Sequence, residues 1–391
     1  MKRPAARGLA AALVGASLAA VLVGVSLAAL LLPQQGVEAA EPRSAKVCSS
    51  CHGEIKKQWE KSSMAQSWMN PVFQAFLADA KAALGEGAQA GCISCHAPLA
   101  AVTGDVKVTD PLNQEGITCN FCHSVSAVDV SPKPASYTWD AADPITMHGP
   151  FEDSESGSAH GSVHSPLMTQ GEFCASCHWY AGPGAGLVFE GTHAQWKASK
   201  AAAAGKQCQD CHMPPAPGKA SLIAKKTRDK IWAHTFPGAH TAGGLDSVAS
   251  VAAAVESGKL KLTVRNTRGG HSLPGGGASM RAITLDVVYQ DGAGKELARV
   301  PVQTYDTEFA DATGKSPVPK WLAKKVARSN EIPADEPKVE WSEIPPGAKK
   351  AEAVLTYHFL LPAYRAALVA KKVDLTGRDP VVMARTSVAI P

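Results

Sequence analysis

A chain of 391 residues with a formal charge of +4 is long enough for two domains, and its near balance of 39 basic and 35 acidic residues leaves no basic face of the kind that binds nucleic acid. Aromatic residues make up only 6%, lean for a conventional core in the stretch where helical and strand periods are weakest. The ten cysteines are therefore the features to follow along the chain.

Residues 1–40 read as a targeting segment. Lys2, Arg3 and Arg7 precede an apolar run from Gly8 to Leu32, followed by Pro33 and a small-residue region in which Val37-Glu38-Ala39 before Ala40 is an acceptable cleavage site. The run is long enough to span a bilayer. A cleaved signal peptide is favoured over a membrane anchor through residues 8–32. Either outcome exports the cysteines, so the expected location is the periplasm or outer surface of a bacterium.

The cysteines fall into five C-x-x-C-H patterns: Cys48, Cys51 and His52; Cys92, Cys95 and His96; Cys119, Cys122 and His123; Cys174, Cys177 and His178; Cys208, Cys211 and His212. Two thiols at this spacing bond covalently to the vinyl groups of a haem, and the histidine that follows ligates its iron. Disulfides and structural zinc are the alternatives for paired cysteines, but neither needs a histidine directly after each pair. With 13 histidines in 391 residues, one falls at a given position about 3% of the time. Five such matches point to five c-type haems, whose apolar surface replaces the missing aromatic core. Without residues 1–40 the charge drops from +4 to about +2. Ten ionised propionates and five oxidised iron–porphyrin centres then bring it to about −3, and to about −8 on reduction.

After the first motif, Ile55, Trp59, Val72, Phe73, Phe76 and Leu77 recur at helical intervals around Pro71. Within this stretch Trp59-Glu-Lys-Ser62-Ser-Met64-Ala65 resembles the W-x-x-S-x-H-A opening of periplasmic multihaem cytochromes related to the tetrahaem electron acceptor of hydroxylamine oxidoreductase. Met64 stands where that family usually has a ligating histidine. A thioether also ligates haem iron and raises its potential relative to a second histidine, so Met64 is a candidate axial ligand. The segment from His148 to His178 is similar to one in the same family, and the resemblance places a distal ligand at His160, with His148 and His164 as alternatives. The helix through His193, Trp196 and Ser199 is similar to one that precedes C-x-x-C-H-M-P in the nitrite reductase and hydroxylamine oxidoreductase group, where a histidine at position 193 is not typical. His193 is read as a surface or packing residue. Beyond Met213 the basic residues Lys225, Lys226, Arg228 and Lys230 are expected to face propionates. The chain then reaches HTFPGAH, which also fits the resemblance. His234 and His240, six residues apart, are expected to serve two different haems.

From about Ser247 the chain changes character. Lys259–Thr267 alternates, Ala282–Tyr289 alternates less strictly, and Ala353–Leu360 and Val381–Ile390 supply further strands. The Pro-rich stretch from Ile332 to Pro346 reads as connections. This pattern predicts an antiparallel β-sandwich. Gly269-Gly-His271-Ser-Leu-Pro274-Gly resembles a G-H-x-x-P-x-G loop of β-domains attached to multihaem cytochromes, and His271 is expected to reach across and ligate a haem. His358 is read as structural.

The predicted fold is therefore an α+β multidomain one: a leader over residues 1–40, a mainly helix-and-loop cytochrome domain over 41–245, and a β-sandwich domain over 246–391. Met64, His160, His234, His240 and His271 form the expected distal set. The expected function is electron transfer to and from other redox proteins, a quinol-oxidising complex or other cytochromes, without catalysis. The alternative is a reductase or oxidase of nitrite, hydroxylamine or a sulfur oxyanion. Against it, all five motifs keep their histidine, whereas pentahaem nitrite reductase usually carries lysine at its catalytic haem. A third expectation is that the β-domain binds a partner protein, a mineral surface or another copy of the chain, the last stacking haems into a longer conduit.

Overall fold

The computed structural model of the protein describes residues 41–391 apart from 157–158, 183–186 and 278. The leader expected over residues 1–40 lies outside the described residues. Among the described residues no helix is long and apolar enough to cross a membrane.

The first part of the chain is built from short helices. Ser44 caps helix α1 (Ala45–Trp59) by accepting from the Lys46 N–H, and Glu115 reaches back to accept from the Ala45 N–H at 2.9 Å. Asn70 caps α2 (Pro71–Leu84) through the N–H groups of Val72 and Phe73, with Pro71 in the first turn, where its missing donor costs nothing. Next come α3 (Ala88–His96) and α4 (Pro98–Thr103). Trp68, Leu77, Ile93, Ala97, Ala100 and Val108 close a small core among these elements. Helices α5 (Cys119–His123), α6 (Glu172–His178), α7 (Thr192–Lys197), α8 (Lys200–Ala203) and α9 (Cys208–His212) complete this part.

Every motif histidine marks the end or the break of a helix. Helices α3, α5, α6 and α9 stop at His96, His123, His178 and His212, and α1 is kinked at His52, with φ −106° and ψ 37°. Residues i and i+3 share a helical face, so both thiols of each motif lie on one side of a single turn. The histidine that follows leaves the helix and is free to turn toward what the thiols hold.

Short two-stranded ladders link these helices: β1 (Val125–Val128) with β2 (Tyr137–Trp139), β5 (Tyr180–Ala181) with β6 (Val188–Glu190), and β7 (Pro215–Gly218) with β8 (Arg228–Trp232), all antiparallel. Strands β3 (Thr146–Gly149) and β4 (Gly161–His164) are parallel, His148 opposite Val163.

The remainder is sheet. Strands β9 (Ala249–Glu256), β10 (Lys259–Asn266), β11 (Ala282–Gln290), β12 (Glu296–Tyr305), β13 (Thr307–Ala310), β14 (Lys325–Ser329), β15 (Lys338–Glu343), β16 (Lys350–His358) and β17 (Val381–Ala389) follow, with helix α10 (Pro362–Ala370) between the last two. They form a three-stranded sheet in the order β15-β10-β9 and a four-stranded sheet in the order β12-β11-β16-β17, both antiparallel, plus the β13–β14 ladder. One core lies between the two sheets. Leu260, Leu262 and Val264 of β10 meet Ile283, Leu285 and Val287 of β11 and Ala351, Ala353, Leu355 and Tyr357 of β16 there. The β9–β10 hairpin turns on Ser257 and Gly258, both at positive φ (52° and 77°), as a two-residue hairpin that matches strand twist requires.

The fold is α+β, as the sequence pattern predicts. Strands β9, β13, β14 and β15 were not in that pattern. β15 occupies the Pro-rich stretch read as connections, because its apolar residues point outward. Val339 and Trp341 are 45% and 48% exposed, while Glu340 and Ser342 face inward and accept from the buried phenols of Tyr305 (3.2 Å) and Tyr289 (2.8 Å).

Candidate cofactor and metal sites

A cavity of about 1050 Å³ runs through the helical part to the edge of the sheets, lined by residues of the first, third, fourth and fifth motifs and by His160, His234 and His271. Three pairs of imidazoles face each other across it. His52 and His160 have ring centres 6.3 Å apart with planes at 31°, His123 and His234 6.3 Å apart at 21°, and His212 and His271 6.4 Å apart at 16°. A metal–imidazole bond of about 2.0 Å puts each ring centre about 3.2 Å from the ion, so two rings in trans across one metal are about 6.3 Å apart. The three pairs fit a metal held between them.

Hydrogen bonding settles which ring nitrogen is available. The Nδ1–H groups of His52, His123 and His212 donate to the carbonyls of Ala220 (2.7 Å), His148 (2.6 Å) and Pro237 (2.7 Å). Those of His160, His234 and His271 donate to Gly161 (2.7 Å), Trp232 (3.0 Å) and Ser272 (2.9 Å). A carbonyl only accepts, so each Nδ1 carries the proton and each Nε2 keeps its lone pair, the arrangement that orients a ligating imidazole. Burial also lowers the pKa values of His123, His212 and His271 and holds that of His234 down to about 4, keeping the rings neutral.

The thiols draw the motifs together. A hydrogen bond with Cys119 lowers Cys48 to about 7, one with Cys177 lowers Cys95 to about 7, and one with Cys174 lowers Cys208. The first motif therefore lies beside the third, the second beside the fourth, and the fourth beside the fifth. Cys122, without such a bond, is pushed up to about 12 by burial.

The second motif is built differently. His96 donates from Nδ1 to the Ser67 carbonyl at 3.1 Å, and Ser67 Oγ returns a bond to the His96 carbonyl at 2.7 Å. The ring is stacked on Phe73 of α2 at 3.9 Å and 12°, and burial holds its pKa down to about 4. Among the described residues no second imidazole faces His96 or His178. The charge of Lys320 acts on Cys92, Cys95 and His96 of the second motif. It sits on a short turn held by Trp321 against Phe76 of α2 (5.9 Å) and by Leu322 in a cluster with Leu187, Phe189 and Phe309.

The other singled-out residues fall as follows. Met64 lines the cavity, and its carbonyl accepts from the Ile117 N–H at 3.0 Å. His240 is not brought to a motif histidine. It stacks on Phe359 at 4.9 Å, and Arg378 donates to its Nδ1, which leaves the proton on Nε2, the opposite tautomer to the paired rings. Burial, then the charges of Arg378 and Arg281, hold it at about 3. His148 offers its carbonyl to His123, and His164 lies at the surface 4.0 Å from Glu152. His358 bonds Thr284 within the sheet at 3.1 Å. Of the basic stretch, Lys226 and Arg228 both pair with Asp153 at 2.7 Å while also lining the cavity. Arg228 lies 3.9 Å over the Phe151 ring.

Sequence reasoning did not single out Lys320 or Glu190. Glu190 accepts from the Gly277 N–H at 2.9 Å and from Thr192. Burial pushes its carboxyl up, but the charge of His178, these bonds and Lys320 bring it below the usual carboxylate range. Neither residue belongs to a local motif. Lys320 reaches the site only because the chain folds back from the sheets, and Glu190 ends β6 between the fourth and fifth motifs.

Residues 47–124, which hold the first three motifs, match the family model of cytochrome c554 and c-prime. No curated protein matches the chain. The fold is similar to that of a penta-heme cytochrome c552 from Thermochromatium tepidum, with a TM-score of 0.70 at 21% identity over 90% of this chain and 100% of that one. At that identity the likeness establishes a shared fold.

Proposed function

We propose that this chain, a multihaem c-type cytochrome, carries electrons through five covalently bound haems in periplasmic or cell-surface respiration. The observation that carries this function is the set of three facing imidazole pairs, each ring holding its Nδ1–H on a carbonyl so that Nε2 keeps its lone pair. Each such pair would hold a haem iron between its two imidazoles and leave it no place for a substrate, and the chemistry supplied there would be one-electron exchange. When bound, the haems supply the one-electron couples. The chain supplies the rest: ten cysteines fix the cofactors, the histidine pairs tune them, and the contacts between thiols of different motifs keep neighbouring attachment points close. Donor and acceptor are other redox proteins, a quinol-oxidising complex or further cytochromes.

The test is a haem count and a redox titration of the exported holoprotein. Five haems per chain, low-spin signals from the three histidine pairs, and no turnover of nitrite or hydroxylamine are expected. A different count, or rapid turnover, would overturn the proposal.

A second function is favoured by one specific observation, the lack of a facing imidazole at His96 and His178 among the described residues. If Met64 fills neither position, an open haem there could reduce nitrite, hydroxylamine or a sulfur oxyanion. A high-spin electron paramagnetic resonance signal together with turnover in the dye-reduced protein would establish it.

A further inference from the structure

Two half-buried arginines stand together without a counter-charge where the cavity meets the sheets. Arg281 directly precedes β11, and Arg378 lies in the loop between α10 and β17. Both charges act on His240, and that of Arg281 also acts on Arg378. Among the described residues neither guanidinium forms an ion pair. Asp379, next to Arg378, pairs with Arg365 at 2.6 Å. Asp374, whose charge reaches Arg378, accepts from the Thr376 N–H at 2.9 Å and from its hydroxyl at 2.7 Å. An arginine stays charged in a protein, so two of them held together and partly desolvated cost free energy that only an anion returns. The cations expected from the sequence to face propionates differ on this point, because Lys226 and Arg228 share Asp153 at 2.7 Å.

The guanidiniums are both placed and open. Arg378 donates from Nη1 to Nδ1 of His240, whose ring is stacked on Phe359 at 4.9 Å and 22°. His240, the histidine of the expected distal set that faces no motif ring, is thus a positioning residue for Arg378. Arg281 donates to nothing from its side chain among the described residues, and none of its nitrogens is closed to solvent. With His240 it lines the cavity. The loops that carry these residues also hold one imidazole pair. Pro237, three residues before His240, accepts from His212 at 2.7 Å. A Cβ placed on Gly275 would lie 2.8 Å from His271 Cε1, and one placed on Gly276 would lie 3.3 Å from Arg281 Nη1, so glycine at these positions lets the loop pass between ring and guanidinium. The anion therefore belongs to a group centred between His212 and His271, and a haem there brings its two propionates.

We propose that Arg281 and Arg378, the latter held in place by His240, form an anion site for a propionate of the haem attached at Cys208 and Cys211, and that their charge raises the potential of that haem. The inference rests on the proposed haem complement. The guanidinium fork matches a carboxylate in two parallel bonds. Reduction adds a negative charge to the haem centre, and nearby cations favour the more negative state. A free oxyanion such as sulfate offers the same chemistry, and the experiment separates the two sources.

The experiment uses the holoprotein with Arg281→Gln and Arg378→Gln, which remove a charge each, and Arg281→Lys, which keeps it. Haem counting comes first, and a count that fails in the unsubstituted protein indicts the complement, not the arginines. With all haems attached, spectroelectrochemistry in a buffer free of sulfate and phosphate should show the same midpoint potential falling in both glutamine variants. It should recover at least in part in Arg281→Lys, with the others unmoved. His240→Phe, which releases Arg378, should lower that potential by less than Arg378→Gln does. In a His271→Met background, where thioether ligation raises the potential of that haem, the displaced potential must travel with it. Added sulfate should leave the unsubstituted protein unmoved. A saturable shift with sulfate that the glutamine variants lose would assign the site to a free oxyanion and overturn the proposal. If neither glutamine variant accumulates, nuclear magnetic resonance of the reduced, unsubstituted protein decides, and guanidinium protons of Arg281 with cross-relaxation to propionate methylenes are expected. Unmoved potentials, an effect on another haem, or no such cross-relaxation would each overturn it as well.

Discussion

The two halves of the chain solve the same problem, filling a protein interior, by opposite means. In the sheets the filling is polypeptide: Leu260, Leu262, Ile283, Leu285, Val287, Tyr289, Leu355 and others form one continuous core between two faces. In the motif-bearing part the polypeptide core shrinks to the cluster around Trp68, Leu77 and Ile93, and the space between the motifs is a cavity of about 1050 Å³. Protein interiors tolerate few voids larger than a water molecule, so a space of that size lined by imidazoles and thiols is a place for a large apolar group. One half is complete in its own sequence, and the other is half of a composite whose remainder is bound covalently.

The largest test of this contrast is to withhold the cofactor. Produced without haem, the chain should lose its helical signal and its amide protection over residues 41–245 and keep both over the sheets, as hydrogen exchange would read. Uniform protection in the haem-free chain would end the distinction. The converse experiment is Leu355→Ala, which opens a cavity in the sheet core, where the side chain is fully buried. It should cost about 2–5 kcal/mol of stability in denaturant unfolding followed by the sheet signal, while haem absorption stays unchanged until the sheets melt. Replacing His234 by Ala should do the reverse, converting one haem from low to high spin with little effect on the sheets.

A pH titration sharpens the comparison further. Burial holds His96 and His234 at about 4 in the folded chain, whereas an unfolded imidazole protonates near 6.5. Between those values the unfolded chain binds more protons, so stability falls as the pH drops from about 6.5 toward 4. The loss should appear in the motif-bearing half, where these rings reside, and be read by the low-spin haem bands during acid titration of the holoprotein.

How much of this was legible in the sequence differs between the halves for a physical reason. The motifs were fully legible, because the spacing of C-x-x-C-H is local: one turn of helix sets it. The facing rings were only partly so. His160, His234 and His271 stand opposite motif histidines, but nothing within HTFPGAH separates His234 from His240. That difference comes from Arg378, which is far along the chain and imposes the other tautomer on His240. His193 was left between a surface and a packing residue, because its slot is made by Trp179 and Trp196 only after folding. In the sheets, β10, β11, β16 and β17 were legible from alternation, and β15 was not, because its inward residues are the polar ones. A hydrophobic period cannot report a strand whose buried face exists to accept two phenolic protons.

That strand supplies the smallest effect and the finest test of whether the sheet half is self-contained. The Tyr289 hydroxyl donates to Ser342 Oγ at 2.8 Å, with Tyr289 itself fully buried. Ser342→Ala leaves the phenolic O–H without its acceptor and should cost about 1–3 kcal/mol. Tyr289→Phe combined with Ser342→Ala removes donor and acceptor together, and should lie closer to the unsubstituted protein than the serine variant alone. Neither should move any haem band, because the bond joins β15 to β11 within the sheet core and touches nothing that lines the cavity. If the double variant proved worse than the single one, the inward polar face of β15 would owe its place to packing, and the hydroxyl pair would be incidental to it.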